Sequence, residues 1–153
     1  MQTDELNFVI VRAKAATYVG NGTPAKSSRS GSHDLTWTEG DWLYLDSYFG
    51  GTDFIGQETL WVRGEPIWAM SYYGYILLPE LIDAQRAGET IKEALSSLYQ
   101  QGRFLGGFEW VGKYGKYVDC SNGDASHFRG RETILVEGAE AYALDYFGGL
   151  IKP

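Results

Sequence analysis

The sequence predicts an α+β fold built from two similar halves, each a helix followed by about four antiparallel strands and the two related by a pseudo-twofold axis. Three observations lead there. The chain matches itself at a shift of 73 to 74 residues. Two stretches carry apolar residues at helical spacing, and the remainder alternates in short runs broken by glycine-containing turns. A length of 153 residues suits one domain, 1–153, holding a first repeat over about 4–78 and a second over about 79–153.

The self-match is ordered and long. Tyr44 and Asp46 return as Tyr117 and Asp119; Phe54, Gly56, Glu58 and Thr59 return as Phe128, Gly130, Glu132 and Thr133. Gly64, Ala69, Tyr72 and Gly74 then recur as Gly138, Ala143, Tyr146 and Gly148. Two copies are too few for a solenoid, so the halves are expected to share one core.

The first helix is expected from Asp4 to Ala15, with Leu6, Val9, Ile10 and Ala13 on one stripe, Thr3 as its cap and Asp4 and Glu5 at its positive end. A polar stretch from Thr17 to Asp34 follows, and its counterpart in the second half, GRFLGG, is far shorter. Strands are then separated by turns at Glu39-Gly40-Asp41 and Arg63-Gly64-Glu65, and in the second half at Lys113 to Lys116 and Glu137-Gly138. Along Trp42 to Phe49 the alternation puts Leu43, Leu45 and Phe49 on one face, the expected core side. Trp42, Tyr44, Asp46 and Tyr48 take the other, which is expected to be partly covered by the partner half, another subunit or a ligand. The second helix is marked by Ile91, Ala94, Leu95 and Leu98, preceded by a short turn around Pro79 to Arg86 and stopped at Gly102. Cys120 is expected to face the core with Leu45 and Val118.

Composition excludes several mechanisms. Hydrophobic residues at 44% and charged ones at 22% describe a globular chain, and a net charge of −7 disfavours direct nucleic-acid binding. One cysteine and two histidines 94 positions apart leave no disulfide and no metal-ligand spacing, and no cofactor motif is present. GNGTPAKS lacks the ending of a phosphate-binding loop, and no GxSxG elbow occurs. With no apolar run of membrane length and no leader at the N-terminus, no membrane partner is expected and the chain reads as cytoplasmic.

Candidate functional residues fall in two groups. Glu58 and Glu132 alternate onto apolar faces, where a carboxylate has a raised pKa unless it is partnered; recurrence in both halves favours a structural role, accepting hydrogen bonds from a tyrosine or the backbone. Asp46 and Asp119 read the same way. Function is instead expected where the halves differ. Arg29, His33 and Asp34 in the long polar stretch, with Arg12 and Lys14 from the helix end, could form an anion-binding or acid-base cluster. The aromatics Trp37, Trp42, Tyr48, Trp61, Trp68, Tyr72 and Tyr73 make the first half the more aromatic surface.

Several blocks, RAKAATYVGNG from Arg12, SSRSGSHDLTWTEGDWLYLDSYFGG from Ser27, FIGQETLWVRGEPIWAMSYYG from Phe54 and the closing YFGGLIK, resemble a bacterial domain family of unknown function. The resemblance implies stand-alone chains and chains behind helix-turn-helix domains in regulators, and it carries no activity or catalytic residues. Ser30 stands where the motif commonly has proline.

The leading expectation is therefore a small-molecule-binding or sensing module for a small anion, its pocket formed by the 17–34 loop and the aromatic first-half sheet. Its site residues are Arg12, Lys14, Tyr18, Arg29, His33, Asp34, Tyr48, Glu58, Trp68 and Tyr72. One alternative is a protein interaction module or homodimer using the aromatic sheet face, with Trp61 or Trp68 as anchors. The other is an enzyme with a Glu58/His33 acid-base pair, ranked last because no activating partner is visible.

Overall fold

The computed structural model describes residues 1–20 and 22–153; Asn21 of the expected loop lies outside them. Among the described residues one antiparallel sheet of nine strands carries two α-helices, so the fold is mixed α+β. Helix α1 spans Thr3–Lys14 and runs into a π-helical turn, Ala15–Val19. Strands β1 (Thr23–Ala25), β2 (His33–Glu39), β3 (Trp42–Gly50), β4 (Phe54–Val62) and β5 (Glu65–Ile76) follow. Helix α2 (Ala84–Gln100) then precedes β6 (Phe108–Val111), β7 (Lys116–Asp124), β8 (His127–Val136) and β9 (Ala139–Leu150). The strand order is β1-β2-β3-β4-β5-β9-β8-β7-β6, so the two runs of hairpins meet where β5 pairs with β9.

Local chemistry accounts for the boundaries. Two hairpins turn on consecutive left-handed residues, Arg63-Gly64 (φ 48° and 80°) and Glu137-Gly138 (φ 52° and 81°), the geometry whose twist matches the flanking strands. Each of those hairpins slips register at corresponding places, between Leu60 and Trp61 and between Ile134 and Leu135. Asp83 caps α2 by accepting the Arg86 N–H at 2.9 Å, and Gly102 ends it at φ 75°.

Four expectations are corrected. Thr3 is inside α1 rather than its cap; Gln2 occupies the cap position without a side-chain hydrogen bond. The 17–34 stretch is not a plain loop, because the π-helical turn continues to Val19 and β1 pairs with β2, giving five strands before α2 and four after it. The covered face of the sheet is the aromatic one. Tyr44, Leu60, Trp68, Tyr117, Ile134 and Tyr142 lie buried on the inner face, whereas Leu43 on the other is 39% exposed. Cys120 likewise points outward and is exposed. The helices bury their apolar stripes, Leu6, Ile10 and Ala13 of α1 and Ile91, Ala94 and Leu98 of α2, in the same core cluster as those aromatic side chains, where each large buried side chain contributes roughly 1.5 to 3 kcal/mol. Among the described residues no helix is long and apolar enough to cross a membrane.

Candidate functional site

The repeated FxGxE element builds the inner face. In register, Asp46 of β3 sits opposite Glu58 of β4, and Asp119 of β7 opposite Glu132 of β8. Each glutamate accepts a hydrogen bond from a tyrosine on the adjacent strand, Glu58 from Tyr44 and Glu132 from Tyr117. Each aspartate is reached from two strands away: the Tyr72 hydroxyl donates to Asp46 Oδ1 at 2.5 Å, and that of Tyr146 to Asp119 Oδ1 at 2.7 Å. The glycine between makes that reach sterically open. A Cβ on Gly56 would lie 2.5 Å from the Tyr72 hydroxyl, and one on Gly130 would overlap the Tyr146 ring.

The two groups differ in one partner. Lys14 at the end of α1 places Nζ 2.9 and 3.2 Å from the two oxygens of Glu58, a buried ion pair, with Met70 Sδ 3.8 Å away. Among the described residues no lysine is paired with Glu132 in the way that Lys14 is with Glu58. Asp119 Oδ2 is buried without a hydrogen-bond partner among the described residues, and so is the hydroxyl of Tyr142 on β9.

These residues surround a cavity of about 550 Å³ between the inner face of the sheet and the helices. Its wall takes Asp46, Glu58, Asp119 and Glu132 from the strands, Lys14, Thr17 and Tyr18 from the N-terminal helical segment, and Ile91, Leu95 and Tyr99 from α2. Tyrosine rings and aliphatic side chains supply most of the remaining wall, and exposed Lys92 borders it.

Burial sets the protonation. It pushes Glu132 up to about 7, aided by the charge of Asp119 and opposed by the Tyr117 hydroxyl and Lys14. It pushes Asp119 to about 6 against the Tyr146 hydrogen bond and the charges of Arg103 and Lys14. Asp46 is raised by burial against Tyr72 and Lys14. Burial and the nearby carboxylates also hold Tyr18, Tyr72 and Tyr146 far above the ordinary phenol value, so their hydroxyls remain neutral.

Of the expected site residues, Lys14, Tyr18, Tyr48, Glu58 and Tyr72 line this cavity. Arg12, Arg29, His33, Asp34 and Trp68 stand outside it. Arg12 is an exposed partner of Glu39, bonded at 2.6 to 3.0 Å. Asp34 pairs in register with Ser47 on the opposite face, where Ser28 N–H and the hydroxyls of Ser32 and Ser47 donate to it. Although burial raises it, those donors bring Asp34 down to about 2, leaving a fixed anion that orders its loop. Arg29 binds Ser47 Oγ at 2.8 Å and lies over the Phe49 ring, again on that face. His33 is exposed, its ring tilted by 37° against that of Tyr48 at 5.1 Å, and the register sets Gly56 rather than Glu58 level with it two strands away. Trp68 is wholly buried; its Nε1 donates to Ala125 O at 2.9 Å and its ring stacks on Phe128.

The residues not anticipated as a site are Asp46, Asp119, Glu132 and the tyrosines of the second half. In the repeat Asp46 corresponds to Asp119, Glu58 to Glu132 and Tyr72 to Tyr146, but only contact between β5 and β9 makes the two sets walls of one space.

The family model described as Domain of unknown function (DUF5680) matches residues 46–151, from within β3 to just past β9, and the chain belongs to that family. No curated protein and no solved structure matches it.

Proposed function

We propose that this member of the DUF5680 family is a small-molecule-binding module whose ligand occupies the cavity between the sheet and the helices. The observation that carries the reading is the cavity itself: about 550 Å³, walled by aromatic and aliphatic side chains with a few convergent polar groups, the usual makeup of ligand pockets. The same reading takes the chain as an internal duplication about a pseudo-twofold axis, supported by the paired Tyr-to-Asp and Tyr-to-Glu bonds, with the ligand space straddling both copies.

A thermal-shift screen of a metabolite library, run on the native protein, Leu95→Trp and Arg29→Ala, tests this. Leu95 lines the cavity, so the tryptophan fills it, while Arg29 sits on the other face. Hits that persist in Arg29→Ala and vanish in Leu95→Trp support the pocket. A flat screen, or hits that need Arg29 and tolerate the tryptophan, would reject it.

The uncovered sheet face supports a second reading, self-association. Ile55 and Tyr73 are direct cross-strand partners at 54% and 44% exposure, and Phe147 nearby on β9 is 62% exposed. Sedimentation should then find a concentration-dependent dimer that Phe147→Glu dissociates; a monomer at all concentrations ends that reading. Trp68, an expected anchor, belongs to the core.

A further inference from the structure

We infer that the ligand of this cavity is an organic cation, an ammonium-type group carried on an apolar body, seated against Asp119 and Tyr142. The inference rests on the cavity being a ligand site and specifies the chemistry of its occupant.

Charge is the first observation. Among the described residues four carboxylates enter the wall, all buried, whereas the one buried cation facing them is Lys14, whose ammonium is bound to both oxygens of Glu58. Arg103, the other cation acting on Asp119, has its N–H groups on the carbonyls of Leu105 and Gly107 and on Gln101. An anion entering here would meet Asp46, Asp119 and Glu132, with Lys92 only at the exposed border, while a cation would favour their ionised forms and offset the repulsion between them.

The second observation is independent of charge count. Asp119 is 3% exposed and Tyr142 1% exposed, yet Asp119 Oδ2 and the Tyr142 hydroxyl have no hydrogen-bond partner among the described residues. Buried polar atoms are almost always paired, and both of these belong to cavity-lining residues. A carboxylate oxygen can only accept a hydrogen bond or attract a positive charge unless it is itself protonated, so the missing partner is a donor or a cation. Tyrosine side chains line the space, and aromatic rings favour alkylammonium groups over hydrated ions. Ile91, Leu95 and Leu144 provide the apolar surface for the body of such a molecule.

Calorimetric titration with phenyltrimethylammonium, its neutral carbon counterpart tert-butylbenzene, and phenylphosphonate tests this on the intact chain, with MgCl2 as a fourth titrant. The cation should bind at least about tenfold more tightly than the other three, as expected of a desolvated cation at carboxylate and ring faces. Asp119→Asn, which keeps shape and removes charge, should weaken the cation by about tenfold and leave tert-butylbenzene unchanged. Tyr142→Phe serves as a second variant should Asp119→Asn fail to fold, and it should lower only the cation's affinity. Equal or tighter binding of the neutral or anionic probe would overturn the charge assignment while leaving the pocket intact. Tighter, Asp119-dependent binding of Mg²⁺ would overturn the organic part. Binding of none of the four would overturn the inference and the pocket reading together.

Discussion

Tyr72 and Tyr146 face one another directly across the β5–β9 junction, and each sends its hydroxyl away from the partner to an aspartate two strands off, Asp46 and Asp119 respectively. The middle of the sheet is thus a pair of tyrosines whose phenols anchor opposite sides of one cavity. Because each ring crosses a glycine to get there, its position depends on an absent side chain.

Gly130→Ala should therefore destabilise the protein by about 2 to 4 kcal/mol, since the added methyl meets the buried Tyr146 ring rather than a flexible chain end. Tyr146→Phe removes the Asp119 bond without the overlap and should cost only about 1 to 2 kcal/mol. Urea denaturation ranks the two; equal losses would mean that the ring moves aside.

Lys14 and Glu58 form a buried pair, so removing one leaves the other's charge in a poor medium. Lys14→Met should cost about 3 kcal/mol or more at neutral pH, and adding Glu58→Gln should recover a large part of it. Additive losses in the double variant would show that the pair is not coupled.

Stability should fall as pH rises from the ordinary 3.8 and 4.5 of Asp119 and Glu132 to the values of about 6 and about 7 at which they ionise when folded. Both values are raised over the ordinary 3.8 and 4.5, so their protonated forms favour folding at low pH and that contribution is lost as pH passes the folded values. Asp46, also raised, acts in the same direction; Lys14 and Arg103 oppose it; and the tyrosines donating to these carboxylates do not titrate in this range. Denaturation midpoints should be lower near about pH 8 than near about pH 5, and Glu132→Gln should flatten the profile. A Glu132→Gln profile as steep as that of the native chain would refute the assignment.

Asp34 works in the opposite sense on the other face. Its value is depressed to about 2, so its contribution is present above its ordinary 3.8 and disappears as pH falls toward about 2. Asp34→Asn should remove that acid-limb dependence and increase hydrogen exchange of the Ser28 and Arg29 amides, leaving the cavity's ligand affinity unaltered.

Trp68→Phe should lower stability by about 1 to 2 kcal/mol through loss of its bond to the Ala125 carbonyl and of stacking on Phe128. Ligand affinity should be retained; a specific loss of binding in a variant of native stability would return Trp68 to the site.

The residue pattern alone determined the two helical stripes, the glycine turns and the assignment of Tyr44, Asp46 and Tyr48 to one side of β3 and Leu43 and Leu45 to the other. These depend on periods of two or 3.6 residues and on local backbone geometry. The recurrence of Glu58 as Glu132 and of Tyr72 as Tyr146 was equally legible, and with it a shared role in hydrogen bonding. Which side of the sheet the helices cover was not legible, because both sides of β3 carry large apolar surface and the choice is made by packing against α1 and α2. The long polar stretch drew attention through its charges, yet Asp34 and Arg29 face Ser47, away from the cavity. Only the tertiary structure brought Asp46 and Glu58 into one enclosure with Asp119 and Glu132, since that follows from β5 pairing with β9, a contact between strands far apart in the chain that no local periodicity encodes.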